Sequence, residues 1–143
     1  MFKGEFEHSL DEKNRLTMPS KFRERLGDHF TITRGLDSCL FVYPDDEWAK
    51  LEEKLKGLPF TRADARAFSR MFFSGAADAE PDKQGRVIIP ANLKEHAKIE
   101  RDVVIVGVAT RVEVWAKAEW ESFRRKAGES YEEIAEKIVD IGI

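Results

Sequence analysis

The 143-residue sequence holds one cysteine, Cys39, so no internal disulfide can form and the chain fits a reducing compartment. Its histidines, His8, His29 and His96, stand far apart, outside any His-x-x-x-His or Cys/His spacing that holds a metal ion. There is no glycine-rich phosphate loop and no Gly-x-Ser-x-Gly elbow. Cys39, beside Leu40 and Phe41, reads as a half-buried thiol, and the pairs Asp45-Asp46 and Glu52-Glu53 read as solvated or capping charges on helices. These absences argue against an enzyme and imply no cofactor, no metal and no small-molecule substrate. No apolar run approaches the length that spans a bilayer. Met1 leads into Phe2-Lys3-Gly4-Glu5 without an apolar leader, so the expected location is the cytoplasm. The net charge of −3 gives no general attraction to nucleic acid.

What the chain does have, it has twice. Asp11-Glu12-Lys13-Asn14-Arg15-Leu16-Thr17-Met18-Pro19 returns as Asp82-Lys83-Gln84-Gly85-Arg86-Val87-Ile88-Ile89-Pro90. Each copy reads as Asp, three turn positions, Arg, three strand positions and Pro. Asn14 and Gly85 tolerate the positive φ of a tight turn, and the Pro suits the start of a short helix. The likeness extends outward. Phe2 and Gly4 match Phe73 and Gly75, and Phe22-Arg23-Glu24 matches Leu93-Lys94-Glu95. Later, Gly35 matches Gly107, Leu40 matches Val112, Val42 matches Val114, Tyr43 matches Trp115 and Trp48 matches Trp120. Internal self-similarity over this span predicts two equivalent halves about a pseudo-two-fold axis. The expected division is a first repeat with its helix over 1–56, a linking helix over 57–75, and a second repeat with a C-terminal helix over 76–143. The three form one compact unit. With 42% hydrophobic residues such a chain can bury a real core, and 36% charged residues solvate its surface.

Local patterns fill in the elements. Residues 2–10 read as a strand and Ser20 to Leu26 as a helix closed by Gly27. Phe30–Arg34 and Leu40–Tyr43 read as strands about a Gly35-Leu36-Asp37-Ser38 turn. Asp45 or Asp46 is suited to cap a helix with Trp48, Leu51 and Leu55 on one face. Thr61 to Asp64 resembles a capping box for a helix whose apolar face is Ala65, Phe68, Met71 and Phe72. Val103–Val106 suits a strand buried on both faces, and the alternation over Arg111–Trp115 suits one with a wet face. Trp120, Phe123, Ala127, Tyr131, Ile134 and Ile138 mark a C-terminal helix that Gly128 kinks or divides.

The chemistry worth following lies in the repeated motif. Residues 11–25 carry five basic residues (Lys13, Arg15, Lys21, Arg23, Arg25) against three acids (Asp11, Glu12, Glu24). Residues 82–101 show the same five (Lys83, Arg86, Lys94, Lys98, Arg101) against three (Asp82, Glu95, Glu100). On residue chemistry two readings stand. In one, Asp stabilises its own turn and pairs with Arg, an exposed ion pair that contributes about 0–1 kcal/mol. In the other, Asp aims a guanidinium whose planar donors suit phosphate oxygens or the O6/N7 edge of guanine. Lys13, Lys21, Arg23, Lys83 and Lys94 are nearby candidates for phosphate contacts.

The sequence resembles the MraZ family of bacterial transcriptional regulators over nearly its whole length. The resemblance is carried by Met1-Phe2-x-Gly4-Glu5, both Asp-x-x-x-Arg motifs with their Pro, Thr33-Arg34-Gly35-Leu36-Asp37, Cys39 to Pro44, and Ala65-Arg66-x-Phe68-Ser69-Arg70-x-Phe72-Phe73-Ser74-Gly75. One departure is Asn14, where the family usually has Gly; Asn can hold the same left-handed turn. The resemblance implies an α+β fold, a double-repeat swapped-hairpin β-barrel like that of AbrB and MazE, flanked by helices. It also implies a ring-like homo-oligomer, a nucleoid-associated location, and binding to short tandem DNA repeats upstream of the division and cell-wall gene cluster, usually as a repressor. Matched by position, the DNA-contact loops are Asp11, Lys13, Asn14 and Arg15, and Asp82, Lys83, Gly85 and Arg86. AbrB-like barrels also serve as antitoxins. An interaction module without DNA readout is therefore the alternative, although the patterned C-terminal helix differs from a disordered toxin-binding tail.

Overall fold

A computed structural model of the chain describes residues 1–138 and 142. In the first repeat β1 (Phe2–Ser9), β2 (Arg15–Thr17), α1 (Ser20–Leu26), β3 (Phe30–Arg34), β4 (Leu40–Pro44) and α2 (Asp45–Lys56) follow in order. After α3 (Ala63–Ser74) come β5 (Ala77–Ala79), β6 (Arg86–Ile88), α4 (Ala91–His96), β7 (Asp102–Ala109), β8 (Arg111–Ala116), α5 (Lys117–Glu129) and α6 (Tyr131–Lys137).

The expected duplication appears as a crossed exchange of strands. Six strands form one sheet in the order β1-β7-β8-β4-β3-β5, and β2 pairs with β6 as a separate ribbon. Exchanging each strand for its counterpart (β1 for β5, β3 for β7, β4 for β8) returns the same order reversed. The edge strand of each repeat lies on the hairpin of the other: β1 pairs with β7 and β5 with β3, both antiparallel. At the centre Phe41 faces Glu113, and in the ribbon Leu16 faces Val87. Both are pairs of equivalent positions, so the pseudo-two-fold axis runs through them. This is the swapped-hairpin α+β architecture. Among the described residues its ladders form an open sheet and a ribbon, with no single closed ladder joining them.

The sheet separates two cores. On one face Leu16, Met18, Val87 and Ile89 from the ribbon region, with Phe22 and Leu26 of α1 and Leu93 of α4, pack on Ile32, Val42, Val103, Ile105 and Val112. Alternation decides this: the residues on either side of Thr17 and Ile88 point inward, so those two point out. On the other face Cys39, Phe41, Tyr43, Phe72 and Trp115 pack with Trp48, Leu51, Leu55 and Trp120. The ribbon and the longer helices therefore occupy opposite sides of the sheet.

Several local expectations are corrected. The Arg111–Trp115 strand has no wet face: Glu113 is only 7% and Trp115 3% exposed. Helix α5 covers Trp115 through Trp120 and Phe123. Buried Glu113 is satisfied by the Trp115 indole N–H, which donates at 3.0 Å, and by Arg111. Cys39 is fully rather than half buried. Thr61 caps nothing, since α3 begins after Arg62 without a side-chain cap. Pro44 takes the N-cap of α2 and places Asp45 and Asp46 in its first turn, where they face the helix dipole. Pro19 and Pro90 likewise take the N-cap positions of α1 and α4. The C-terminal helix runs through Gly128 and breaks at Ser130. β5 has no strand pattern of its own in Ala77-Asp78-Ala79 and is held by its ladder to β3.

Candidate nucleic-acid interface

The two Asp-x-x-x-Arg loops are built alike, bond for bond. In the first, the Asn14 N–H donates to Asp11 O at 3.0 Å and the Asp11 N–H to Arg15 O at 3.0 Å. In the second, Gly85 N–H donates to Asp82 O at 2.9 Å and Asp82 N–H to Arg86 O at 3.0 Å. Each turn closes through a left-handed residue, Asn14 at φ 59° and Gly85 at φ 77°. A three-residue turn of this kind needs such a residue before the strand resumes.

The aspartates organise the rest of each loop. Asp11 Oδ1 accepts the Lys13 and Arg15 N–H groups, both at 2.9 Å. Asp82 Oδ1 accepts those of Gln84 and Arg86, also at 2.9 Å. The second carboxylate oxygen takes the Arg Nε, at 2.7 Å for Arg15 and 2.8 Å for Arg86. The backbone N–H of Arg15 is the largest influence holding the Asp11 carboxyl below its ordinary range, followed by the Arg15 side chain and the Lys13 N–H. Arg86 and Gln84 do the same for Asp82. The carboxylate thus takes only the Nε corner of each guanidinium. Among the described residues, neither Arg15 nor Arg86 has a protein hydrogen-bond partner at its Nη atoms, so both Nη groups of each fork stay available to a ligand.

Pairing in the ribbon sets where these forks sit. Arg15 lies opposite Ile88 and Arg86 opposite Thr17. Directly opposed residues share a face, and residues two apart along a strand do too. Arg15, Thr17, Arg86 and Ile88 therefore share the outer face of the ribbon, with the two arginines on a diagonal, about 7–8 Å apart by standard strand geometry. Ile88 is 65% exposed between them. A two-stranded ribbon is narrow enough to enter a major groove.

The other expected contacts divide. Lys13 and Lys83 are exposed on the loops, at different turn positions, so the charge at the two tips is not symmetric. Lys21 is exposed on α1, its ammonium 5.9 Å from the Phe6 ring centre. Arg23 and Lys94 are instead tied to the protein, Arg23 while still exposed and Lys94 half-buried: Arg23 Nε donates to Met18 O at 2.8 Å and Lys94 Nζ to Asn14 Oδ1 at 2.9 Å. Sequence reasoning misses the outward placing of Thr17 and Ile88, because Val87-Ile88-Ile89 looks uniformly apolar; the alternation of Leu16, Thr17 and Met18 in the other copy is the signal that could have found it. Trp48 and Trp120 pack on this chain's own sheet, while Phe60, Phe68, Met71 and Tyr131 are exposed.

A family model described as "MraZ protein, putative antitoxin-like" matches residues 1–71 and again 72–141. The chain belongs to the MraZ family. It is 60% identical over 141 residues to the Transcriptional regulator MraZ of Desulforamulus reducens, covering 99% of each chain. It is 59% identical to that of Heliobacterium modesticaldum over the full length of both. It is 60% identical to that of Pelotomaculum thermopropionicum, covering 100% of this chain and 99% of the relative. Each MraZ segment contains one Asp-x-x-x-Arg loop, and the crossed strands of the sheet interleave the two segments.

Proposed function

We propose that the protein is a transcriptional regulator that acts by binding DNA sequence-specifically, and not by catalysis. The observation that carries this reading is the common outer face of Arg15 and Arg86, each with its Nη donors uncommitted and its Nε tied to an aspartate. Such a fork can bind the O6/N7 edge of a guanine in two bonds, a contact that discriminates by about 1–3 kcal/mol against a wrong base. The relatives' name, Transcriptional regulator MraZ, supports the same reading. The DNA taken is the set of short tandem repeats upstream of the division and cell-wall gene cluster, and the output is repression. Lys13, Lys83 and Lys21 contact phosphates beside the loops. Each such contact adds about −0.9 to the salt slope of binding.

A single ribbon reads few base pairs. A ring-like homo-oligomer that engages successive repeats raises the effective concentration of every further contact. The exposed Phe60, Phe68 and Met71 support a further protein contact on the helical side, away from the ribbon. No helix among the described residues is long and apolar enough to cross a membrane.

The test is an electrophoretic shift with a duplex carrying the tandem repeats and a scrambled duplex, at several salt concentrations. Arg15→Ala and Arg86→Ala should each abolish preference for the repeats while sedimentation shows an unchanged assembly. If either variant discriminates the two duplexes like wild type, the proposed reading fails. Binding to neither duplex by the wild-type protein would favour the interaction-module alternative.

A further inference from the structure

The two loops match in their backbone but differ in how they are braced. Gly85, at φ 77°, lies beneath the Arg23 guanidinium, so close that a Cβ there would collide with Arg23 Nε. Arg23 is held in place through Met18 O, and the Met18 N–H donates to Gly85 O at 3.0 Å. In the other loop the counterpart of Arg23 is Lys94, that of Gly85 is Asn14 and that of Met18 is Ile89. The Ile89 N–H donates to Asn14 O at 2.9 Å, and Lys94 Nζ donates to Asn14 Oδ1. So α1 of the first repeat braces the loop of the second, and α4 of the second braces the loop of the first.

The chain contains two solutions to one packing problem. A broad guanidinium lies over a bare glycine on one side, and a slender ammonium meets an amide on the other. The pairs are not interchangeable singly. An asparagine at 85 would occupy the space of the Arg23 fork. A lysine at 23 would leave Gly85 without the group that covers it.

We propose that Arg23 and Lys94 are positioning residues, each fixing the Arg-bearing loop of the opposite repeat, and that they are not independent phosphate contacts. This rests on the DNA-reading function proposed for the ribbon. It makes the departure at Asn14 one half of a matched pair: its partner is Lys94, as Arg23 is the partner of Gly85. It also ties the two loops together, since neither repeat holds its own.

The experiment compares wild type, Arg23→Lys, Gly85→Asn and the double variant R23K/G85N on the repeat duplex over a range of salt, with thermal melting in the absence of DNA. Each single change should weaken binding by about tenfold, and the double should return to within about twofold of wild type, because it recreates the pairing already present in the first repeat. The salt slope should stay constant through the set and in Arg23→Met. A double variant as weak as the product of the singles overturns the proposal, as does a double that no longer folds. An Arg23→Met salt slope reduced by about one, with Gly85→Asn binding normally, marks Arg23 as a phosphate contact and overturns it as well. Arg15→Ala on the same duplex separates the two levels. If it binds like wild type, the DNA-reading function falls and this inference with it. If it loses binding while the pair behaves additively, only the bracing role falls.

Discussion

Arg15 and Ile88 stand directly opposite each other across the β2–β6 ribbon, a charged fork beside an exposed aliphatic side chain. Their counterparts are Arg86 and Thr17. The outer face thus repeats its charge and varies the neighbouring position, Ile88 against Thr17, within one molecule; under the proposed function those two positions would distinguish bases beyond guanine.

An aliphatic side chain at a groove floor contacts the thymine 5-methyl group. Replacing thymines of the repeat duplex by deoxyuridine, one at a time, should weaken wild-type binding at one position per repeat by about 1 kcal/mol, the value of a buried methyl-sized group. Ile88→Ala should bind the thymine and uracil duplexes equally. An Ile88→Ala protein that keeps the full difference would place the methyl contact elsewhere.

Asp11→Asn and Asp82→Asn test whether the carboxylates aim the forks. The amide oxygen can still accept the loop N–H groups, but its NH2 faces Arg Nε, donor against donor. Each variant should lose about tenfold in affinity for the repeats, with only a small fall in melting temperature, since an exposed ion pair contributes about 0–1 kcal/mol. Because both carboxyls are held below their ordinary range by loop N–H and Arg partners, their contribution to the loops is present above the ordinary carboxylate pKa and lost as pH falls through the lowered one. Binding should therefore be flat with respect to these groups from neutral pH down to about 4, as fluorescence anisotropy would show.

His29 bridges two acids, with Nδ1 2.7 Å from Asp45 Oδ1 and Nε2 3.1 Å from Asp78 Oδ1. Both ring nitrogens can donate only in the protonated ring. The Asp45 hydrogen bond is the chief cause of its raised pKa. Stabilisation is therefore fully present below the unfolded value near 6.5 and is lost as pH rises through the raised folded value. The linkage ties β5 and the start of α2 to the entry of β3. Melting curves should show the His29→Gln difference shrinking from pH 5 to pH 9.

Gly107 sits where β7 meets the crossed strand β1, opposite Gly4. A Cβ there would collide with the backbone nitrogen of Lys3, which cannot swing aside as a side chain can. Gly107→Ala should cost about 1–3 kcal/mol or more in urea denaturation. Gly128→Ala, in open space on α5, should stabilise by about 0.5–1 kcal/mol.

Much of the fold is legible in the chain because the duplicated turn chemistry is local. An Asp, a left-handed Asn or Gly, an Arg and a Pro specify both loops and the helices after them, and α1, β3 and β4 fall where their patterns place them. The parts that are not legible depend on long-range contact. β5 exists through β3. The apparent wet face of β8 lies beneath α5, whose aromatic residues give no sign in sequence of which sheet face they cover. Arg23 and Lys94 look like any solvated basic residue until the crossing brings each over the other repeat's turn. Hydrophobic periodicity carries no information about that crossing.

Phe41 meets Glu113 on the axis, and this has a consequence for the kind of target the molecule can take. In an assembly of two identical polypeptides a residue on the dyad must meet its own copy, and two buried glutamates there would repel. Joining the halves covalently removes that rule, so the pairs Phe41/Glu113, Thr17/Ile88 and Asn14/Gly85 were free to drift apart. The outer ribbon face that results is polar in the directional sense: it has a left and a right. Under the proposed function such a face would suit a non-palindromic half-site read head-to-tail, where a strict homodimer would demand an inverted repeat.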